Sequence, residues 1–171
     1  MNVNILVIYA SKYGATKEIA EKIGAVLHQA GMQADVCPVE GVRDINSYQA
    51  IILGSAVYIG KWQKEAEAFL KTHEKTLSSR QVWLFSSGPT GVGDPVELLE
   101  GQRLPAALQP VADRIQPRDI AVFHGYINPD KLNFIEKWAV NSLVKKPMGD
   151  FRDWNRITGW ALTIADTLKQ A

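Results

Sequence analysis

Short apolar runs rich in β-branched residues alternate with helical patterns along the whole chain, and this alternation limits the fold more than any other feature. VNILVIYA (3–10), QADVCPV (33–39), AIILGSA (50–56), QVWLFSS (81–87) and DIAVFHGYI (119–127) read as strands. Pro38 makes the second the weakest of them. These runs are hydrophobic almost without interruption, as strands buried on both faces must be. Between them lie helical patterns. Over 16–30, Ile19, Ala20, Ile23, Leu27 and Ala30 share a face, and Gly31 stops the helix. Over 64–77, Ala66, Phe69, Leu70, His73 and Leu77 do the same. Two more helical stretches, 130–144 and 150–168, close the chain. The spacing predicts an α/β fold: a doubly wound, five-stranded parallel sheet with helices on both faces. At 171 residues, with no repeat or linker, residues 1–171 form one domain.

The totals exclude several function classes. Nineteen Lys and Arg against eighteen Asp and Glu leave a net charge of +1, which is no footprint for nucleic acid. Cys37 is the single cysteine, so an internal disulfide or a Cys-rich metal site is excluded and no metal site is expected. No apolar run is long enough for a membrane span, and no secretory signal is evident, so a cytoplasmic location is expected.

In an open parallel sheet, ligands bind outside the carboxyl ends of the strands, where the strand order reverses. That rule selects SKYGAT (11–16), SAVYIGKW (55–62) and SSGPTGVGD (86–94). In the first, Ser11 and Thr16 bring hydroxyls, Gly14 permits a tight turn, and a helix starts near Thr16. The unpaired N–H groups and positive dipole end of that helix suit a phosphate. An ordinary strand-to-helix turn with Thr16 as its N-cap has the same appearance. The loop matches neither G-x-x-x-x-G-K-[ST] nor G-x-G-x-x-G, which disfavours a nucleoside triphosphate and the usual dinucleotide site. Tyr58 and Trp62 in the second loop, and Ser86, Ser87, Gly88 and Thr90 in the third, suit a flat apolar ring with polar edges. Trp62 could equally pack the next helix. Residues 92–110 form a Gly- and Pro-rich excursion.

These loops together resemble those of the flavodoxin-like flavoproteins, over almost the whole chain. Ser11-Lys12-Tyr13-Gly14-Ala15-Thr16 is similar to the family's S-x-x-G-x-T phosphate loop. Gly54 to Gly60 and Ser86-Ser87-Gly88-Pro89-Thr90 fall where the loops flanking the isoalloxazine ring belong. A nearer resemblance is to the single-domain flavoproteins that include menaquinone-dependent protoporphyrinogen dehydrogenase. It rests on G-x-x-x-x-x-G-x-[WY] at Gly54, Gly60 and Trp62, and on the extended segment near 126–149 before the last helix. The resemblance implies non-covalent FMN, held by Ser11, Lys12, Tyr13, Gly14, Ala15 and Thr16 at its phosphate. It places Ser55, Ala56, Val57, Tyr58, Ile59, Gly60 and Lys61, with Ser87, Gly88, Pro89 and Thr90, around the ring. It implies an FMN-binding oxidoreductase, similar to protoporphyrinogen IX dehydrogenase with a quinone acceptor. The alternative is a flavodoxin-type electron carrier without a small-molecule substrate, serving a redox partner. Three features depart from the family: a near-neutral charge where short-chain flavodoxins are strongly acidic, Lys12 and Tyr13 in the phosphate loop, and a different third loop. A receiver-type module on the same fold is disfavoured, because no acidic residue follows the first strand.

The ring of a flavin carries the redox chemistry, so no catalytic side chain is singled out. A cation at Lys61 predicts a less negative two-electron potential than that of an acidic flavodoxin. His28 and His73 read as structural. His124 lies at the ligand-side end of strand five. Cys37 reads as a small core residue, and Asp150 as the cap of the last helix with Asp153 in its first turn. Leu132, Ile135, Trp138, Ala139, Ser142 and Leu143 form an apolar stripe beside Lys131, Lys137, Lys145 and Lys146. The stripe predicts either a helix packed on the domain or a surface for a quinone, a porphyrin or the inner face of an anionic membrane.

Overall fold

The computed structural model describes residues 3–171. Strands β1 (Asn4–Ala10), β2 (Gln33–Pro38), β3 (Ala50–Tyr58), β5 (Gln81–Ser87) and β6 (Asp119–Phe123) form the parallel sheet, in the order β2-β1-β3-β5-β6. A short strand, β4 (Lys61–Trp62), folds back antiparallel on β3. Helices α1 (Ala15–Gln29) and α7 (Trp154–Gln170) cover one face. Helices α2 (Lys64–Thr72), α3 (Glu74–Leu77) and α5 (Gln109–Ile115) cover the other, and a single turn, α4 (Pro95–Leu98), sits in the long excursion. A two-stranded ribbon of β7 (Tyr126–Ile127) and β8 (Gly149–Asp150) brackets a further helix, α6 (Phe134–Ala139).

The alternation of side chains along each strand builds two cores. Ile5, Val7, Ile52, Phe85 and Phe123 face α1 and α7, where Ile19, Ile23, Leu27, Ile157 and Ile164 meet them. Leu6, Ile8, Ile51, Leu53 and Leu84 face Phe69, Leu70, Leu108, Val111 and Ile115. Both faces of the central strands are buried, so β1, β3 and β5 are apolar along most of their length, whereas the edge strand β2 carries Gln33 and Asp35. One glycine is fixed by packing: a Cβ on Gly54 would lie 2.0 Å from the ring of Phe85 on the neighbouring strand.

Several boundaries differ from the sequence expectations. The helix expected over 64–77 breaks at His73, whose ring packs 4.4 Å from Phe69. The fifth strand ends at Phe123, and Tyr126–Ile127 leaves the main sheet to pair with β8. The stretch expected as a helix over 130–144 has one turn at Pro129–Lys131, then α6, then a wide turn at Val140–Val144. Asp150 does not cap the last helix. It lies in β8, and Asp153 caps α7 by accepting from the Arg156 N–H. The apolar stripe does not pack as one face: Leu132 is buried, while Ile135, Trp138 and Leu143 are exposed. Among the described residues, no helix is long and apolar enough to cross a membrane.

Candidate functional site

Strand order reverses between β1 and β3, and the loops leaving these strands diverge there to open a cleft. It encloses about 830 Å³ of space, the open solvent at its mouth included. Its walls come from the loop after β1, the end of β3, the loop after β5 and the segment 125–146.

The first wall is the 11–16 loop. Gly14 is the N-cap of α1 with φ of +95°, a conformation that glycine adopts freely. The Ser11 hydroxyl accepts from the Gly14 N–H at 3.0 Å and holds the turn. Thr16 is therefore not the cap. It is buried in the first turn, and its hydroxyl lies 2.8 Å from that of Ser87 at the end of β5. This bond joins the first loop to the third. The first-turn N–H groups of α1 have no helical carbonyl to bond, and with the Ser11 and Thr16 hydroxyls they make a donor set suited to a phosphate. The Lys12 ammonium stands 4.8 Å from the centre of the Tyr58 ring and 5.0 Å from that of Tyr13, which brings the first and second loops together. A hydrogen bond with Tyr13 is the main cause that pushes its pKa up.

The second wall is a hairpin. Ser55 is buried beneath it, donating to the Ala56 carbonyl and accepting from the Gln63 N–H at 2.9 Å. Trp62 is also buried, and its indole N–H donates to Ser86 at 2.9 Å. Trp62 thus packs the hairpin onto the third loop, leaving Tyr58 and Ile59 at the cleft mouth. Of the expected ring-flanking residues, Ala56, Val57, Tyr58, Ile59, Ser87 and Gly88 line the cleft. Gly60 borders a neighbouring hollow. Lys61 is exposed on β4 and does not line the cleft. Pro89 and Thr90 are buried, and Thr90 keeps a hydroxyl with no partner among the described residues. His124 follows β6 with its Nε2 buried and similarly unpartnered.

Close glycine packing sets the third wall. A Cβ on Gly88 would lie 2.9 Å from the Val57 carbonyl oxygen, and one on Gly125 would lie 2.8 Å from the Gly88 backbone. The Gly125 N–H donates to the Pro89 carbonyl at 2.9 Å. The second loop, third loop and exit of β6 therefore touch backbone to backbone.

The fourth wall joins Leu132 and Lys146, which the sequence reading named in its candidate quinone or porphyrin surface, to Gly125, Tyr126, Ile127, Asn128 and Val140, which it did not single out. This segment crosses the cleft as a strap. At the phosphate-loop end, Lys131 donates to the Tyr13 carbonyl at 2.9 Å, and Tyr13 donates its phenol proton to Glu136 at 2.6 Å. Lys12 lies 3.6 Å from the same carboxylate. Glu136 is also N3 of a reciprocal cap with Asn133, so α6 starts with its acid already aimed at the first loop. The Tyr13 hydrogen bond is the first cause holding the Glu136 carboxyl below the usual range. At the far end, a Cβ on Gly91 of the third loop would lie 3.5 Å from Pro147. The strap is closed by Arg152, which bonds Asp150, Glu18 and the Ala15 carbonyl and lies against the Tyr126 and Trp154 rings. The apolar run in 125–154 and its lysines were legible signals, but nothing in their periodicity says that they wrap a cleft.

Known proteins share this fold. Protoporphyrinogen IX dehydrogenase [quinone] of Escherichia coli strain K12 is 21% identical over 170 residues, covering 94% of this chain and 93% of its own. A flavodoxin from the domain Archaea superposes with a TM-score of 0.65 at 15% identity, covering 98% of this chain and 99% of the other. Oxidised flavodoxin 2 from Bacillus cereus gives 0.63 at 21% identity, over 96% and 99%. The flavodoxin domain family matches residues 6–153, and a flavin cofactor follows from that fold and family. This chain belongs to the flavodoxin domain family.

Proposed function

We propose that this protein is an FMN-binding oxidoreductase that oxidises a protoporphyrinogen IX-like substrate and passes the electrons to a quinone. The observation that carries the reading is the cleft in which the phosphate-type loop, both ring-flanking loops and the strap converge. The likeness to the E. coli dehydrogenase over nearly the full length of both chains supports the substrate class. Bound FMN would supply two-electron redox chemistry. The chain's own residues bind, orient and shield. Ser11, Thr16 and the first-turn N–H groups of α1 hold the phosphate. Lys12 adds charge beside it and packs against Tyr58. Val57, Tyr58, Ile59 and Gly88, which line the cleft, would flank the ring, and Leu132 and Val140 would keep water from the strap side.

Titrating the apoprotein with FMN, followed by flavin fluorescence, should give saturable 1:1 quenching. Anaerobic addition of protoporphyrinogen IX and menadione should then give porphyrin fluorescence at a rate proportional to enzyme. Flavin binding without turnover would instead assign the chain to electron transfer between proteins.

A second observation bears on where this happens. Phe134 and Leu143 are 85% and 70% exposed, Ile135 and Trp138 are exposed beside them, and Lys137 and Lys145 flank the patch. Such a surface suits shallow contact with the anionic inner face of a membrane, where a quinone is dissolved. The protein should pellet with phosphatidylglycerol vesicles at low salt and stay in solution with phosphatidylcholine. No pelleting on anionic lipid removes this part of the reading.

A further inference from the structure

We propose that Lys146 is an anion receptor in the cleft and selects substrates that carry a carboxylate beside a flat apolar body. The inference deepens the oxidoreductase reading and rests on the same site. Two lysines line the cleft, and their surroundings differ. Lys12 faces the Glu136 carboxylate and the Tyr13 and Tyr58 rings. Lys146 forms no ion pair among the described residues. It is half-buried on a wall that also holds Ile127, Leu132 and Val140, with Leu132 and Val140 buried. Removal from water is the cause that lowers its pKa from the ordinary 10.5.

A half-buried cation without a counter-charge is unfavourable for the protein alone. A ligand anion restores what burial removed, and does so in a partly dry site where the contact is strong. The position in the strap says which anion. Lys146 adjoins Pro147, which packs toward Gly91 of the third loop, whereas Lys131 and Lys12 serve the first. The phosphate end therefore has its own cations, and Lys146 belongs to the end where a ring and its reaction partner meet. Lys145, in the left-handed region at φ of +48°, re-aims the chain at this point, so that successive lysines do not share a direction. Lys145 is exposed and Lys146 turns to the cleft.

The test is a pair of matched ligands added to the FMN-loaded protein, with binding followed by tryptophan quenching. One pair is anthraquinone-2-carboxylate and its neutral carboxamide. The other is protoporphyrin IX and its dimethyl ester. The wild type should prefer the acid of a pair by about tenfold to a hundredfold, the loss expected for one charge-assisted hydrogen bond. Lys146→Met should abolish the preference, Lys146→Arg should keep most of it, and FMN affinity should be the same in all three proteins. The assignment is overturned by a wild type with no acid preference in either pair, or by a preference that survives in Lys146→Met. It is also overturned if FMN affinity falls together with the preference, because Lys146 would then serve the flavin. A preference in the quinone pair with no porphyrin binding leaves Lys146 assigned and sinks the porphyrin reading. A protein that takes up no FMN sinks the flavin reading, and the same titrations still decide Lys146.

Discussion

Replacing Arg152 with Met should cost about 2–3 kcal/mol of stability and loosen the cofactor site together with the fold. The side chain is only 4% exposed. Its fork reaches Asp150 at 2.9 and 2.7 Å and the Ala15 carbonyl at 3.3 Å, and it also bonds Glu18. The guanidinium lies 5.0 Å from the Tyr126 ring centre and 4.7 Å from that of Trp154. Its carboxylate partners are 40% and 51% exposed, so each pair is screened and contributes about 0.5–1 kcal/mol. Each ring contact contributes about the same. Met retains the apolar stem, and the two acids left behind remain in water, so the penalty for a stranded buried charge does not arise. The contributions overlap, which gives the lower figure rather than their full sum. In urea, the midpoint should fall with an unchanged slope, and Tm should drop by roughly 5–10 °C. Arg152→Lys keeps the charge but not the fork, and should recover less than half of the loss. The same pair sets an acid limb. Arg152 hydrogen bonds are the first cause holding the Asp150 carboxyl below its ordinary 3.8. A depressed carboxyl stabilises the fold above that value and ceases to do so as pH falls through its folded pKa, so Arg152→Met should flatten this part of the profile. A change below about 0.5 kcal/mol, or full rescue by Lys, would refute the reasoning.

Three other substitutions probe separate joints. Gly125→Ala drives a Cβ to 2.8 Å from Gly88 backbone atoms that cannot swing away. It should cost about 1–3 kcal/mol and weaken FMN binding at least tenfold in titration, and an unaltered affinity would rule out this backbone contact as a support of the site. Glu136→Gln should speed hydrogen exchange across residues 129–146 at pH 7. The wild-type strap should itself loosen as pH falls below 4.5 and through the depressed folded value of Glu136, a response the variant lacks. Trp62→Phe removes the donor to Ser86, whose own proton still goes to the Arg103 carbonyl. It should cost about 0.5–1.5 kcal/mol in urea unfolding, and a stability equal to wild type would show that the indole N–H contributes nothing.

The sheet was legible because its strands are buried on both faces, and a strand such as Ile5 to Ile8 then has no polar position to confuse the pattern. The first loop was legible for a related reason: a strand end, a glycine with positive φ and a helix start must follow one another closely, and hydroxyls there have few other uses. The plain-turn alternative, with Thr16 as an N-cap, failed because a local spacing could not show that its hydroxyl meets that of Ser87, 71 positions away. The strap failed for the opposite reason. Its apolar residues divide between cleft and solvent, so Leu132 and Ile135 do not share one buried face and no helical period describes them.

The strap also shows why the departures in the first loop belong together. Tyr13 supplies a phenol proton to Glu136 and a carbonyl to Lys131, and Lys12 faces the same acid. A smaller residue at 13 would keep the carbonyl and lose the phenol, and a neutral residue at 12 would leave Glu136 one cation short. The loop is thus fitted on one side to the segment that crosses the cleft, and on the proposed reading it faces a phosphate on the other. Occupancy of the cleft and closure of the strap are then linked: whatever orders one side lowers the conformational cost of ordering the other. Because Lys146 rides on that strap, the linkage extends to the substrate end, so a carboxylate ligand and the flavin should each tighten the binding of the other.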